Sequence, residues 1–315
     1  MNASDASAPH APRGAPHPRR AALATAARGV GIGAADLVPG VSGGTMALIL
    51  GIYPRLIGAI AAFTGQPFRA ALRHGRLLAA WRAVDGAFLA ALGAGMAVAI
   101  VGLAGALSFA LDRYPVAVYG AFFGLILASA PLVFRRVRRP GVRVWAAAAL
   151  GTAFAWTLAG LVPLEAPGGA WVVAASGAAA VAALLLPGVS GAFVLLLLGQ
   201  YERVLQAVAT LDAGVLLPLA AGMVAGGLLA ARTLAAVLAR YPDPTLGLLA
   251  GFLVGALRKV WPWQDGAAVA TFGAPAGPAE AALGVTFVAL GVGVVVMLET
   301  LARPRPRERA SMPPR

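Results

Sequence analysis

Long apolar runs alternate with short polar connections along most of this chain, and the spacing predicts membrane-spanning helices. Full spans are expected at 87–111, 116–134, 144–163, 214–239, 245–260 and 281–301. Two further stretches behave differently. Residues 21–38 are short and rich in glycine, and 44–63 follows at once after Pro39–Gly43. Residues 171–186 repeat that pattern, and 192–211 follows after Pro187–Gly191. Each pair of arms reads as a hairpin broken at a Pro-Gly motif, because proline and adjacent glycines interrupt a helix. Residues 1–20 and 302–315 are polar, basic and proline-rich, and read as disordered tails. No cleavable signal sequence is expected ahead of Asp36.

The broken segments belong to an internal repeat. PGVSGGTMALILGIYPRLIGAI (39–60) lies over PGVSGAFVLLLLGQYERVLQAV (187–208). Downstream, Gly95-Met96 pairs with Gly222-Met223, and Arg113-Tyr114-Pro115 pairs with Arg240-Tyr241-Pro242. An extra basic loop at about 65–84 in the first copy accounts for the change of register. The reading is an all-α polytopic membrane protein with two inverted repeats. The first copy covers 21–143, with a re-entrant hairpin at 21–63. The second covers 171–262, with its hairpin at 171–211. Residues 144–170 hold a connecting span, and 281–301 form the final one.

Composition and charge narrow this. Hydrophobic residues make up 60% of the chain and charged ones only 12%, against ~25% in a soluble domain, so a water-soluble fold is excluded. There is no cysteine, hence no disulfide or thiolate site. The formal charge of +13 sits in short loops, which reads as a topology signal and not a nucleic-acid surface. Basic stretches at 13–28, 69–82, 135–143 and 303–315 belong to the cytoplasmic side. Connections at 164–170, 212–213 and 264–280 lack basic residues and are expected outside. Arg113, Arg258 and Lys259 are the exceptions. Both termini are then cytoplasmic, and one odd span between the copies inverts the second. Two full crossings per hairpin would fit the same loop charges; re-entry is preferred because the first arms are short.

Irregular backbone at membrane depth survives only when buried in protein or lining a wet cavity. The breaks therefore predict a polar midplane site. After each break a helix restarts, presenting free N–H groups that suit an anion. The expected phosphate-binding residues are Ser42, Gly43, Gly44, Thr45, Ser190 and Gly191, with Arg55 and Arg203 at matching downstream positions. Pro39, Gly40, Pro187 and Gly188 make the breaks. Asp36, Glu202, Tyr53 and Tyr201 are candidate coupling or partner groups, and proton coupling is one such role. The plain alternatives stand beside these: a packing kink for PGVSG, interfacial snorkelling for the arginines, a helix cap for Asp36. Arg232 sits inside a span without an evident partner. Tyr114, Trp145, Trp171, Trp261 and Trp263 read as interface anchors.

GxADLVPGVSGGTMALILGIYPRLI, with LLLPGVSGAFVLLLLGQYERVL later, resembles the PopT-type polyprenyl-phosphate transporter family over most of 28–301. The resemblance implies movement of undecaprenyl phosphate between leaflets of the bacterial inner membrane, recycling the carrier lipid for cell-envelope synthesis. It implies a lipid partner, no cofactor, no metal and no catalytic residue. Ala192-Phe193 replaces Gly44-Thr45 in the second copy, so Thr45 is not duplicated. A carrier of a small soluble anion is the main alternative. A lipid-phosphate enzyme is disfavoured because His10, His17 and His74 all lie outside the spans.

Overall fold

The computed structural model describes residues 18–36, 42–161, 169–264 and 272–302. Pro39 and Gly40 lie outside them, as do both expected tails beyond Pro18 and Ala302. The described residues form helices and no strands. In the first half they are α1 (Pro18–Asp36), α2 (Gly43–Ile49), α3 (Tyr53–Ala62), α4 (Gln66–Arg73), α5 (Leu77–Ala83), α6 (Gly86–Arg113), α7 (Pro115–Phe134) and α8 (Val142–Ala159). In the second half they are α9 (Ala170–Leu184), α10 (Gly191–Leu197), α11 (Tyr201–Thr210), α12 (Ala213–Arg240), α13 (Pro242–Ala256) and α14 (Pro278–Ala302). Helices α6, α7, α8, α12 and α14 are long and apolar enough to cross a bilayer. This is a polytopic α-helical membrane protein. The expected span 245–260 is the shorter helix α13, and 144–163 stops at Ala159.

The sequence reading of each second hairpin arm as one helix is corrected. Residues 44–63 divide into α2 and α3, and 192–211 into α10 and α11. The cause is a Leu-Gly-x-Tyr step in both copies. Gly51 has φ +72° and Gly199 φ +64°, a left-handed conformation that favours glycine. The Ile52 amide closes on the Ala47 carbonyl and the Gln200 amide on the Leu195 carbonyl, each at 2.9 Å, which is how a helix ends around such a glycine. The expected loop at 65–84 is also helical. Helices α4 and α5 pack on each other there, and Phe68 of α4 meets Phe63 at the end of α3 at 5.1 Å.

Four helix pairs form the frame: α1 on α6, α9 on α12, α7 on α14, and α8 on α13. Glycines set each seam. A side chain at Gly95 would overlap the Ala26 carbonyl, and one at Gly222 the Ala174 carbonyl. Gly124 and Gly291 lie against Val288 and Ala121, while Gly251 and Gly151 lie against Ala148 and Leu248. Small residues let backbones approach where burial from lipid supplies little drive. Within each pair both helices run the same way: Gly29 meets Leu92 and Gly33 meets Met96, just as Gly247 meets Val144 and Gly251 meets Ala148. Helix α1 stops at Asp36, near the middle of the 28-residue α6. The tightest core surrounds α2 and α3, where Ala47, Tyr53 and Ile57 pack with Ile126, Leu249 and Leu253.

Trp145, Trp171 and Tyr114 are exposed at span ends, as interface anchors are. Trp261 and Trp263 depart from that expectation. They pack edge-on to each other at 5.4 Å, and Trp261 also meets Phe123 and Phe272.

Candidate functional site

The first break is held by its own polar side chains. Ser42 caps α2, its hydroxyl accepting from the Gly44 amide at 3.2 Å. Asp36, the last residue of α1, accepts the Gly43 amide on Oδ1 at 2.6 Å. The start of α2 therefore already carries a carboxylate, and this is the geometry of a cap. A Cβ on Gly43 would meet that carboxylate at 2.6 Å, so the glycine is what admits it.

The same segment also grips the second break. Helix α9 ends at Leu184 inside the apolar bundle, leaving its last carbonyls without intrahelical donors. Tyr53 donates its hydroxyl to the Leu185 carbonyl at 2.7 Å. The Ser42 hydroxyl lies 3.3 Å from the Leu184 carbonyl and 3.2 Å from that of Leu186. Thr45 accepts the Gly188 amide on Oγ1 at 2.8 Å. Ser42, Thr45 and Tyr53 are all buried. A Cβ on Gly44 would lie 2.9 Å from the Leu184 carbonyl, so this glycine permits the approach of the two breaks. Gly188, at φ +83°, sits with its Cα against the Phe252 carbonyl where a side chain has no room. Pro187 beside it is fully buried.

Among the described residues, the second copy does not return these contacts. Ser190 caps α10 by accepting the Phe193 amide at 3.4 Å, which is a local bond. Gly191 packs against the Ala180 carbonyl of α9. Tyr201, the counterpart of the buried Tyr53, is 40% exposed.

The structure brings Asp36, Ser42, Gly43, Gly44, Thr45 and Tyr53 together with Pro187 and Gly188, and leaves both arginines apart from them. Arg55 forms a two-pronged ion pair with Asp85 at the start of α6, at 2.6 and 3.1 Å, over the ring of Phe88. Arg203 and Glu202 lie exposed on the first turn of α11, and neither makes an ion pair with a described residue. Arg232 is exposed on α12. Asp85 was not singled out from the sequence. Its signal is a lone carboxylate closing the basic stretch 69–82, at a left-handed residue with φ +51°. Among the described residues no group of three or more His, Cys, Asp or Glu is placed to hold a metal.

Comparison with known proteins gives one consistent answer. A polyprenyl-phosphate transporter of Vibrio cholerae is 39% identical over 245 residues, covering 77% of this chain and 79% of that protein. A polyprenyl-phosphate transporter of Staphylococcus aureus is 28% identical over 259 residues, covering 75% of this chain and 84% of that protein. No solved structure matches. Residues 32–274, which include both Pro-Gly-Val-Ser-Gly motifs, match the family described as VCA0040-like, undecaprenyl phosphate translocase-like; the chain belongs to that family.

Proposed function

We propose that this protein carries undecaprenyl phosphate, or a closely related polyprenyl phosphate, across the bacterial inner membrane. The observation that carries the reading is the contact between the two repeat segments, in which Ser42, Thr45 and Tyr53, in and after the first motif, hydrogen-bond to Leu184, Leu185 and Gly188 at the second break inside an apolar bundle. Paired broken segments from two repeats are the hallmark of substrate sites in secondary transporters. The named activity of the similar proteins supplies the lipid.

An inverted, re-entrant architecture goes with this reading. Helix α1 begins beside the start of α6 and ends near its middle, and Arg55 on α3 is back beside Asp85 at the α6 start. That supports a first hairpin that enters and leaves on one side, which the basic loop charges make the cytoplasmic one. Helices α9 to α12 repeat the arrangement, and the odd number of spans between the copies turns it over. Both termini are then cytoplasmic.

Asp36 is the coupling group in this scheme. An inside-negative potential opposes entry of an anion, so a proton travelling with the lipid phosphate would offset it. The chain acts as a carrier and performs no chemistry on the lipid.

Liposomes with a labelled polyprenyl phosphate test the function. Wild-type protein should move the label between leaflets faster than empty liposomes do, and an inward-directed proton gradient should increase the rate. Movement equal to empty liposomes, from protein shown to be folded, rejects the function. Movement indifferent to the gradient removes the proton and leaves the transporter.

A further inference from the structure

The repeat extends further than its motifs, and it carries a pair of basic clefts with it. The register that pairs Gly95 with Gly222 also lays Gly124 of α7 over Gly251 of α13. Gly124 packs on Val288 of α14, and Gly251 packs on Ala148 of α8. Helix α14 is therefore to α7 what α8 is to α13. Their sequences agree, with Ala289-Leu290-Gly291 over Ala149-Leu150-Gly151. In this register, Val295, Leu298 and Glu299 fall on Ala155, Leu158 and Ala159.

Those two sets of three residues line two separate cavities. The first, of about 270 Å³, lies between α14, the end of α7 and the end of α2, and Arg135 and Arg136 contribute to its wall. The second is a much smaller cleft, of about 10 Å³, between α8, α13 and the second break, with Lys259 in its wall. Leu132 in the first cavity is the repeat counterpart of Lys259 in the second. The spanning-helix walls of the two cavities thus correspond, while the hairpin side differs: the end of α2 lines the first, and the second break with the start of α10 lines the second. Arg135, Arg136 and one carboxylate, Glu299, all line the first. In the second, alanine replaces that carboxylate, and the only lysine of the chain lies 4.3 Å from the Phe193 ring centroid beside Ser190. Lys259 makes no ion pair with a described residue.

Arg135 links the first cleft to lipid. It also lines a groove of about 550 Å³ between α7, α8 and α13, walled by Phe134, Trp145, Val254 and other apolar groups. A guanidinium between a polar cleft and an apolar groove matches a phosphate headgroup on a hydrocarbon tail.

We propose that these two clefts are the headgroup sites of the carrier, one per leaflet. Arg135 and Arg136 bind the lipid monophosphate on the cytoplasmic side, and Lys259 binds it with the Ser190 hydroxyl on the external side. The groove beside Arg135 holds the first part of the polyprenyl tail. This assignment rests on the transport reading above and moves the phosphate away from Arg55, which is paired with Asp85, and from Arg203, which lines neither cleft.

The test is binding by the purified full chain in detergent micelles. The probe is a fluorescent short-chain polyprenyl monophosphate, compared with the matching polyprenol and with inorganic phosphate. Lys259→Ala and the double variant Arg135→Ala/Arg136→Ala should each weaken monophosphate binding about tenfold or more, the scale of a lost charge-assisted hydrogen bond. Lys259→Arg should keep most of the affinity, and Arg143→Ala, an exposed charge nearby, should change nothing. Polyprenol binding should be indifferent to all four. Unchanged melting temperatures exclude misfolding, and Lys259→Gln replaces Lys259→Ala if the latter fails to fold. Displacement of the probe by equimolar inorganic phosphate would make the clefts soluble-anion sites and overturn the lipid assignment. Equal affinity across all variants, with wild type still moving lipid in liposomes, would overturn the clefts and spare the function. A wild type that neither binds nor moves the lipid would remove both.

Discussion

The two hairpins share a backbone and differ in their chemistry. In the first, Asp36, Ser42, Thr45 and Tyr53 fix the break and hold the carbonyls of its partner, and α3 packs across onto α12 of the other half. In the second, Leu184 stands where Asp36 would be, Ala192-Phe193 where Gly44-Thr45 would be, and Tyr201 is exposed. Helix α11 packs mainly on α12 of its own half. The repeated residues are the ones that shape the chain: the prolines, the glycines of the seams and the left-handed Gly51 and Gly199. Among the polar side chains, Asp36 and Thr45 have no counterpart, while Ser42, Tyr53 and Arg55 recur as Ser190, Tyr201 and Arg203 but in different surroundings. A repeated scaffold whose polar side chains sit in different surroundings gives two halves that are not chemically equivalent.

The comparison can be broken most sharply at the seams, where the halves are alike. Gly95→Leu and Gly222→Leu should each prevent accumulation of folded protein, read by fluorescence size-exclusion chromatography, since each side chain would meet a backbone carbonyl in the partner helix. Unequal damage would mean that one seam relaxes.

The next largest effect should separate the breaks. Asp36→Ala removes the acceptor of the Gly43 amide in a buried position and should cost about 1–3 kcal/mol of stability as well as transport. Asp36→Asn keeps an acceptor. Stability retained with transport lost would assign the carboxylate to coupling; retention of both would leave it as a cap alone.

Tyr53→Phe should lower stability by about 1 kcal/mol through the lost bond to Leu185, while Tyr201→Phe should be neutral in thermal melts. Equal shifts would deny the asymmetry. The smallest effect belongs to Arg55. Its pair with Asp85 is more than half exposed on the arginine side, so Arg55→Ala should cost ~1 kcal/mol or less and become smaller still in high salt. A large loss of lipid transport in that variant, with stability kept, would return Arg55 to the phosphate site.

The spans were legible because apolar length is a property of local sequence, and α6, α7, α8, α12 and α14 lie within a few residues of their expected bounds. At the second break, Pro187 and a left-handed Gly188 follow the end of α9, while Pro39 and Gly40 lie outside the described residues. The second interruption at Gly51 and Gly199 was equally written in the Leu-Gly-x-Tyr step, but hydrophobicity runs straight through it and masked the turn. Ala149-Leu150-Gly151 and Ala289-Leu290-Gly291 are too short to stand out before the α8 and α14 seams are known. The contacts of Ser42, Thr45 and Tyr53 were not legible at all. A hydroxyl near a break reads as a ligand group until the unpaired carbonyls at the end of α9 are seen beside it.

Those bonds join residues separated by 132 to 144 positions in the chain. On the ribosome, Ser42, Thr45 and Tyr53 therefore emerge on the order of ten seconds before the carbonyls and amide they are built to meet. Through that interval the first hairpin holds a broken backbone with its clamp unused, and α3 waits still longer for α12. The segment made first is thus among the last to reach its mature form. Its early neighbour is α6, whose glycine seam with α1 needs nothing from the second half. Biogenesis of this protein should accordingly stall not at an insertion step but at the late meeting of its halves, and a nascent chain halted just before Pro187 should leave Tyr53 open to chemical labelling that the finished protein resists.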